Sequence, residues 1–332
     1  METITARRRS GLILGKFLPP HRGHMHLIEE AQRRAERLTI LVCSLPREPI
    51  PGDLRAAWMR EMFPQHRIVH VRDELPSYPH EHPEFWDLWT STIRREAPDI
   101  DVIFTSETYG DELARRLGIE HQCIDPDRRA VPVSGTDIRR DPMKTWDFIP
   151  ECVRPHFVKR VAILGSECTG KTTIAQSLAE QYATAWSPEF GREFVERKEA
   201  SVDFEDFEAI GRGQIEVEER AARRANRVLI LDTNLIETVV YSRHYFGSCP
   251  QWIDEASRSR RADLYLLADI DVPWIADANQ RDRGDRREEM HSLFREALRE
   301  RGIVPVVLRG NHQQRMAIAT RAIDRLISYN DR

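Results

Sequence analysis

The stretch RVAILGSECTGKT, residues 160–172, decides the fold of the second half of this chain. Its apolar run, Val161–Leu164, predicts a buried strand. Gly165–Thr172 then matches the pattern G-x-x-x-x-G-K-[ST], and a helical pattern follows it. A glycine-rich turn between a strand and a helix is the setting in which this pattern forms a phosphate-binding loop. We therefore predict a P-loop domain that binds ATP.

The parts of this loop have distinct predicted roles. The backbone amides of the loop cradle the phosphates of ATP. Lys171 reaches the β- and γ-phosphates, and the hydroxyl of Thr172 holds Mg²⁺. The other loop residues that we assign to the nucleotide are Gly165, Glu167, Thr169 and Gly170.

Phosphoryl transfer to a hydroxyl needs a carboxylate that takes or orients the proton of that hydroxyl. Asp232 ends the apolar run Val228–Leu231 and is expected to point at the P-loop. Glu189 follows a probable second strand and is the other candidate. Asp232 is also a candidate Mg²⁺ ligand, and a purely structural role for it is the N-cap of the helix that follows. The sequence leaves the choice of base open.

Four arginines lie near the start of the last third of this domain and are interleaved with acidic residues. Such mixed charge is typical of a solvated helix start. The alternative is a lid in which one or two arginines close over the transferring phosphoryl group. These arginines are Arg281, Arg283, Arg286 and Arg287.

The first half of the chain contains a second candidate phosphate site, the stretch GKFLPPHRGH at residues 15–24. It joins a predicted strand to a predicted helix. His21 and His24 lie three residues apart, so both rings can face the same side of the helix start. A helix N-terminus attracts anions through its free N–H groups and its dipole. The residues that we assign to this site are Gly15, Lys16, Phe17, His21, Gly23 and His24.

A third motif, VSGTDIR at residues 133–139, is expected to complete the first site. Ser134 and Thr136 suit a helix N-terminus, where their hydroxyls and amides face phosphate. Arg139 supplies a cation to a departing pyrophosphate. A phosphate oxygen that attacks the α-phosphorus of ATP is already ionised, so this reaction needs positioning and charge neutralisation rather than a base.

Composition excludes several classes of protein. A 332-residue chain that is 40% hydrophobic and 31% charged is expected to form two globular domains. The net charge of −4 gives no general attraction to nucleic acid or to an anionic membrane. Five scattered cysteines favour neither disulfides nor a zinc site. No apolar run approaches the roughly 20 residues of a membrane span, so we expect a cytoplasmic protein without membrane insertion.

Strand-like and helix-like patterns alternate along both halves, which predicts parallel sheets covered by helices. The predicted strands are 11–15, 38–43, 67–71, 101–105, 160–164, 228–231, 264–268 and 304–308; the helices of the first half are 23–37, 54–63, 83–96 and 109–117. The proline-containing stretch 147–159 separates the two series. The predicted architecture is two tandem α/β domains, residues 1–157 and 158–332.

Together these motifs resemble the bifunctional NadR family, in which nicotinamide-nucleotide adenylyltransferase is fused to ribosylnicotinamide kinase. Outside the phosphate motifs, the segments that carry the resemblance are 124–128, 146–155, 189–194, 231–234 and 273–281. The resemblance implies a Rossmann-like nucleotidyltransferase domain followed by a P-loop kinase domain. It implies that the substrates and products are nicotinamide riboside, nicotinamide mononucleotide, ATP and NAD, with Mg²⁺ as cofactor.

The resemblance also implies substrate contacts in the kinase half, from Arg192, Asp277, Arg281 and Arg283. An aromatic face suits the flat nicotinamide ring, which is cationic when oxidised. Trp86, Trp89 and Trp274 are the candidates, although each suits a protein core equally well. Members of the family that act as repressors carry an N-terminal helix-turn-helix. Some ten residues precede the first predicted strand here, so we expect no nucleic-acid partner.

Two alternative functions remain open at this point. The first is a different nucleotidyltransferase–kinase fusion that acts on another small phosphorylated metabolite. The second is a nucleotide-sensing regulator that binds ATP without turnover. A homo-oligomer is compatible with every one of these functions.

Overall fold

The computed structural model describes residues 9–198, 200–274 and 286–328. The chain divides between Val153 and Arg154 into two compact units, a few residues before the predicted start of the second domain at residue 158. Each unit is a parallel β-sheet with helices on both faces, as predicted. Within the described ranges, no helix is both long and apolar enough to cross a bilayer.

The first unit contains a five-stranded parallel sheet in the order β3-β2-β1-β4-β5. Its strands are β1 Ser10–Gly15, β2 Arg37–Cys43, β3 Arg67–Val71, β4 Val102–Thr105 and β5 Glu120–Cys123. Its helices are α1 Arg22–Gln32, α2 Gly52–Met62, α3 Phe85–Glu96, α4 Tyr109–Leu117 and α5 Gly135–Arg140, with 3₁₀ turns at Pro79–Glu81 and Trp146–Phe148. The strand order reverses beside β1, which is where open α/β sheets bind their ligands.

Alternate residues along each strand supply the two core layers of the first unit. Ile13 on β1 packs with residues of α1 and α2 on one face, such as Ile28 and Met59. Its neighbour Leu12 packs with residues of α3 and α4 on the other face, including Ile93. Because side chains alternate across a strand, a continuous apolar run is buried on both faces of the sheet.

The second unit also contains a five-stranded parallel sheet, in the order β10-β9-β6-β8-β7. Its strands are β6 Lys159–Leu164, β7 Trp186–Ser187, β8 Val228–Asp232, β9 Leu264–Ala268 and β10 Val306–Leu308. Its helices are α6 Lys171–Gln181, α7 Phe190–Lys198, α8 Asp206–Ala222, α9 Leu235–Phe246, α10 Gln251–Ser259, α11 Arg287–Glu300 and α12 His312–Ser328. A 3₁₀ turn at Arg154–His156 precedes β6. Helices α6 and α12 cover one face of the sheet.

The eight predicted strands are confirmed, with bounds that agree to within two residues. Strand β5 was not predicted, because its sequence EHQC contains no apolar run and it lies at the sheet edge. Helix α1 ends at Gln32 rather than continuing to Arg37 as predicted. Arg37 instead begins β2 and pairs with Ser10 of β1.

Candidate nucleotide-binding sites

The two histidines of the first motif form one structural element. His21 is the N-cap of α1, and its Nδ1 accepts the backbone N–H of Gly23 at 3.1 Å. The Nδ1 of His24 accepts the backbone N–H of His21 at 3.2 Å, which closes a reciprocal cap. The two ring centroids lie 3.7 Å apart. The prediction that both rings share one side of the helix start is therefore confirmed.

The protonation of these histidines follows from their surroundings. Burial, and then the positive charge of Arg128, lowers the pKa of His21 to about 4. Burial also lowers the pKa of His24, and the charges of His21 and Arg128 add to the effect. Both rings are neutral at pH 7, and each Nδ1 is an acceptor. The single ring proton must then lie on Nε2, so each ring has an N–H that can donate to a phosphate oxygen.

The third motif is held against the first. Ser134 is the N-cap of α5, and its hydroxyl accepts the backbone N–H of Asp137 at 3.1 Å. Arg139 donates to the carbonyl of Leu18 and, at 3.1 Å, to the hydroxyl of Thr136. A Cβ at Gly135 would lie 2.5 Å from the same carbonyl of Leu18, so only glycine allows this approach. The predicted helix position of Ser134 and Thr136 is confirmed, and Arg139 is placed beside the loop of the first motif.

The remaining residues of the first motif have supporting contacts. Lys16 forms an ion pair with Glu48 at 3.0 Å and donates to Ser77 at 2.9 Å. Phe17 is buried at φ 46°, and its ring lies 4.8 Å from that of His24. Gly15 ends β1, as predicted, and leads into this loop.

Trp86 and Trp89 contribute to the core of the first unit. Both are partly buried and pack against the core layer on the α3 face of the sheet. The indole N–H of Trp89 donates to the carbonyl of Pro76 at 3.0 Å. The ring of Trp86 lies 5.5 Å from the guanidinium of Arg116. These contacts give both side chains a structural role, and their contact with nicotinamide stays a prediction.

The P-loop of the second unit lies between β6 and α6, as predicted. Gly165 and Gly170 have φ values of 148° and 78°, which favour glycine. The ammonium of Lys171 is buried and donates to the carbonyls of Gly165 at 2.8 Å and Ser166 at 3.3 Å. Burial alone would lower the pKa of Lys171, but nearby carboxylates, of which Glu237 has the largest influence, outweigh it and raise the pKa.

Asp232 ends β8 beside the P-loop. Its Oδ2 accepts the hydroxyl of Thr172 at 2.6 Å. Its Oδ1 is buried and has no hydrogen-bond partner among the described residues. Burial raises the pKa of Asp232, against the opposing effects of the Lys171 charge and the Thr172 hydroxyl. A hydroxyl and a carboxylate with a free oxygen fit a divalent cation such as Mg²⁺. The helix N-cap is Asn234 and not Asp232, which leaves Asp232 free for this role.

Two arginines donate hydrogen bonds to backbone carbonyls of the P-loop. Arg315 is buried and donates to the carbonyl of Thr169 at 2.8 Å. Arg287 donates to the carbonyl of Cys168 at 3.2 Å and to that of Val272 at 2.7 Å. Of the mixed-charge arginines, Arg287 is thus hydrogen-bonded to the loop rather than fully solvated, and a lid role for these arginines stays a prediction.

A cavity opens beside the P-loop. Its lining combines acidic, aromatic and apolar side chains from α7, α8 and α9, together with Lys171. Glu189 and Arg192 line it, and their side chains approach each other to 3.4 Å. Glu237 on α9 is buried and lies 3.7 Å from the ammonium of Lys171. The two candidate bases therefore occupy different positions. Asp232 contacts the hydroxyl of Thr172, and Glu189 lies in the cavity wall.

Gln214 connects this cavity to a buried acid. The amide oxygen of Gln214 accepts the backbone N–H of Phe190 at 3.0 Å, and its Nε2 donates to Glu218 at 3.1 Å. Burial raises the pKa of Glu218 from 4.5 to about 7, against the opposing effects of Gln214, Arg260 and Arg160. Between about pH 4.5 and pH 7 the folded protein therefore keeps a proton on Glu218 that the unfolded chain releases. The protonated Glu218 contributes fully to stability below about pH 4.5, and this contribution is lost as the pH rises through about 7.

Glu218→Gln is expected to remove this pH dependence, because glutamine has the same shape and no charge. The unfolding free energy of the variant minus that of the wild type should therefore increase by about 3 kcal/mol from pH 4.5 to pH 8. Denaturant titrations of both proteins at the two pH values measure the change. Glu216→Gln, on the exposed side of the same helix, is the control. An equal difference at both pH values would contradict the assignment.

Some predicted contacts cannot be placed. Trp274 lies within the residues that the structure describes. It is 38% exposed and does not line the cavity beside the P-loop. Asp277, Arg281 and Arg283 lie outside the described residues. Their contact with substrate stays a prediction.

Several site residues were missed by sequence reasoning. Glu237 had one usable signal, since it is the single charged residue in the apolar segment Leu235–Tyr241. No sequence signal marked the other missed residues, because polar residues on helices and loops are common. Only the fold brings these residues to the sites; they are Gln214, Arg128 and Arg315.

Comparison with known proteins agrees with this geometry. Residues 12–141 match the family model described as cytidylyltransferase-like, and residues 160–315 match the model described as AAA domain. The trifunctional NAD biosynthesis/regulator protein NadR of Escherichia coli K12 is 29% identical over 331 residues, which cover 91% of this chain and 79% of that protein. The chain belongs to the NadR family.

Other relatives of this NadR-family chain match one or both units. The nicotinamide-nucleotide adenylyltransferase of Methanospirillum hungatei is 30% identical over 146 residues, covering 43% of this chain and 83% of that protein. A crystal structure of a NadR protein in complex with NR superimposes with a TM-score of 0.79 at 24% identity, covering 98% of this chain and 97% of that one. The structural likeness extends over both units and establishes the shared fold.

Proposed function

We propose that this NadR-family chain makes NAD from nicotinamide riboside in two steps, one in each unit. The second unit transfers the γ-phosphoryl group of ATP to the riboside and forms nicotinamide mononucleotide and ADP. The first unit joins that mononucleotide to the adenylyl group of a second ATP and releases pyrophosphate. The printed names of two relatives, a NAD biosynthesis/regulator protein and a nicotinamide-nucleotide adenylyltransferase, support NAD synthesis and the adenylyl step. The P-loop supports the kinase step.

In the proposed kinase step, the riboside hydroxyl attacks the γ-phosphorus while the bond to the β-phosphate oxygen breaks. Lys171 neutralises charge on the phosphates. Thr172 and Asp232 would hold Mg²⁺, which when bound would screen the phosphate charges. Asp232 is engaged at the cation site, so we assign the hydroxyl proton to Glu189 in the cavity wall.

In the proposed adenylyl step, a phosphate oxygen of the mononucleotide attacks the α-phosphorus of ATP, and pyrophosphate leaves. His21 and His24 donate their Nε2–H groups to phosphate oxygens, a role for which their neutral tautomers are suited. Arg128 supplies positive charge next to these rings, and Arg139 supplies it beside the loop that leads to them. No base is required, because the attacking oxygen is already ionised.

The single observation that most supports this proposal is the Thr172–Asp232 pair, 2.6 Å apart, beside an acidic and aromatic cavity. A P-loop that only senses a nucleotide does not require an adjoining cavity for a phosphoryl acceptor. A coupled assay tests the proposal. The purified chain is given nicotinamide riboside, ATP and Mg²⁺, and ADP, pyrophosphate and NAD are quantified.

The expected result is formation of all three products, with NAD dependent on the riboside. Pantetheine and choline phosphate, offered in place of the riboside, test the other metabolite classes. ATP binding without formation of ADP would favour a sensor instead and would refute the kinase assignment.

A further inference from the structure

Glu237 is a buried carboxylate whose place in the cavity the P-loop chemistry does not explain. Its side chain is 5% exposed and lines the cavity beside Thr238 and Tyr241. Its Oε2 has no hydrogen-bond partner among the described residues. Leaving a buried polar atom unsatisfied is costly, and carboxyl oxygens cost the most. An oxygen of this kind, at the wall of an open cavity, indicates a ligand that satisfies it.

The neighbouring ammonium of Lys171 forms an ion pair with Glu237 but no hydrogen bond. Lys171 already donates to two P-loop carbonyls at 2.8 and 3.3 Å, whereas its distance to the carboxylate of Glu237 is 3.7 Å, beyond hydrogen-bond range. Phosphates of ATP would draw Lys171 toward themselves. Glu237 therefore keeps an oxygen available when the nucleotide is bound.

We propose that Glu237 is a specificity-determining residue whose buried carboxyl group forms a hydrogen bond with a ribose hydroxyl of the nucleoside, one that is not phosphorylated. The inference rests on the proposed kinase function. Glu189 takes the hydroxyl that reacts, and Glu237 lines the same cavity. A ribose bound with its reacting hydroxyl at Glu189 would therefore present its 2′- or 3′-hydroxyl to the cavity wall that α9 supplies.

A hydroxyl received by a buried carboxyl gives strong discrimination, because an analogue that lacks it leaves the oxygen buried and unpaired. The second unit should therefore prefer ribonucleosides. We expect kcat/KM for nicotinamide riboside to exceed that for either the 2′-deoxy or the 3′-deoxy analogue by roughly 10- to 100-fold.

The test uses the full chain and measures ADP formation with the riboside and both deoxy analogues. Glu237→Met fills the same volume without a hydrogen-bonding oxygen and should lose this preference, mainly through the KM for the riboside. Glu237→Gln keeps an acceptor oxygen and should retain most of it. Glu216→Met, 74% exposed at its side chain on α8, is the matched control and should behave as the wild type. Adenylyl transfer should be unchanged in all three.

Each outcome decides the matter. If Glu237→Met keeps the wild-type preference for the riboside over the deoxy analogues, the proposed role of Glu237 is overturned. It is also overturned if the wild type acts on all three nucleosides at equal rates, a result that does not depend on whether a variant folds. Loss of turnover by Glu237→Gln with every nucleoside alike would make it the base instead and overturn the inference as well. A wild type that forms no ADP with the riboside refutes the proposed kinase function itself, and this inference with it.

Discussion

Lys171→Ala is expected to reduce riboside phosphorylation by roughly 10²- to 10³-fold while adenylyl transfer continues at the wild-type rate. Lys171 is the buried cation of the P-loop, and its ammonium now rests on the carbonyls of Gly165 and Ser166. In the proposed complex, phosphates of ATP would replace those carbonyls as its partners. Alanine removes this charge from the transition state, where negative charge on the transferring phosphoryl group has to be stabilised.

The measurement is ADP formation from the riboside and, separately, NAD formation from supplied nicotinamide mononucleotide. Lys171→Met is a second variant, since it preserves the volume of the buried side chain. Lys159→Ala, in the same unit and paired with Asp263 near the surface, is the control. Equal loss of both activities in the Lys171 variants, with folding intact by circular dichroism, would refute two independent sites.

His24→Ala is expected to have the converse effect and to reduce adenylyl transfer by roughly 10²- to 10³-fold with phosphorylation preserved. The variant loses the Nε2–H that we propose donates to a phosphate oxygen. It also removes the acceptor of the His21 backbone N–H, so the cap that aims His21 is weakened. His26→Ala, on the same helix but turned about 200° away, is the control. Normal NAD formation by His24→Ala from the mononucleotide would exclude His24 from the site.

The neutral state of these rings has a measurable consequence. The pKa of His21 is lowered to about 4, and burial lowers that of His24 as well. Adenylyl transfer should therefore not decline as the pH rises from 6 to 8, a range in which an ordinary histidinium would lose its charge. A decline centred near pH 6.5 that disappears in His24→Ala would show that the cationic ring is the active form.

The candidate sites divide into a part that sequence reasoning could reach and a part that it could not. Lys171 and Thr172 belong to one contiguous motif, as do His21 and His24, so spacing alone places them at helix starts. Asp232 was reachable because it ends an apolar strand, but the sequence left open whether it was base, metal ligand or N-cap. The 2.6 Å contact with Thr172 supports the metal ligand, and Asn234 takes the cap.

By itself, the sequence determined the α/β class, the two parallel sheets and the two phosphate-binding turns. These features depend on periodicity and on glycine at particular backbone angles, which are properties of neighbouring residues. The tertiary structure alone decided which residues meet the loops from a distance: Arg128 at the histidines, Arg315 behind the P-loop, and Glu237 in the cavity. Their positions depend on how separate elements pack, and burial, which sets the charge of the histidines and of Glu218, exists only once that packing has formed.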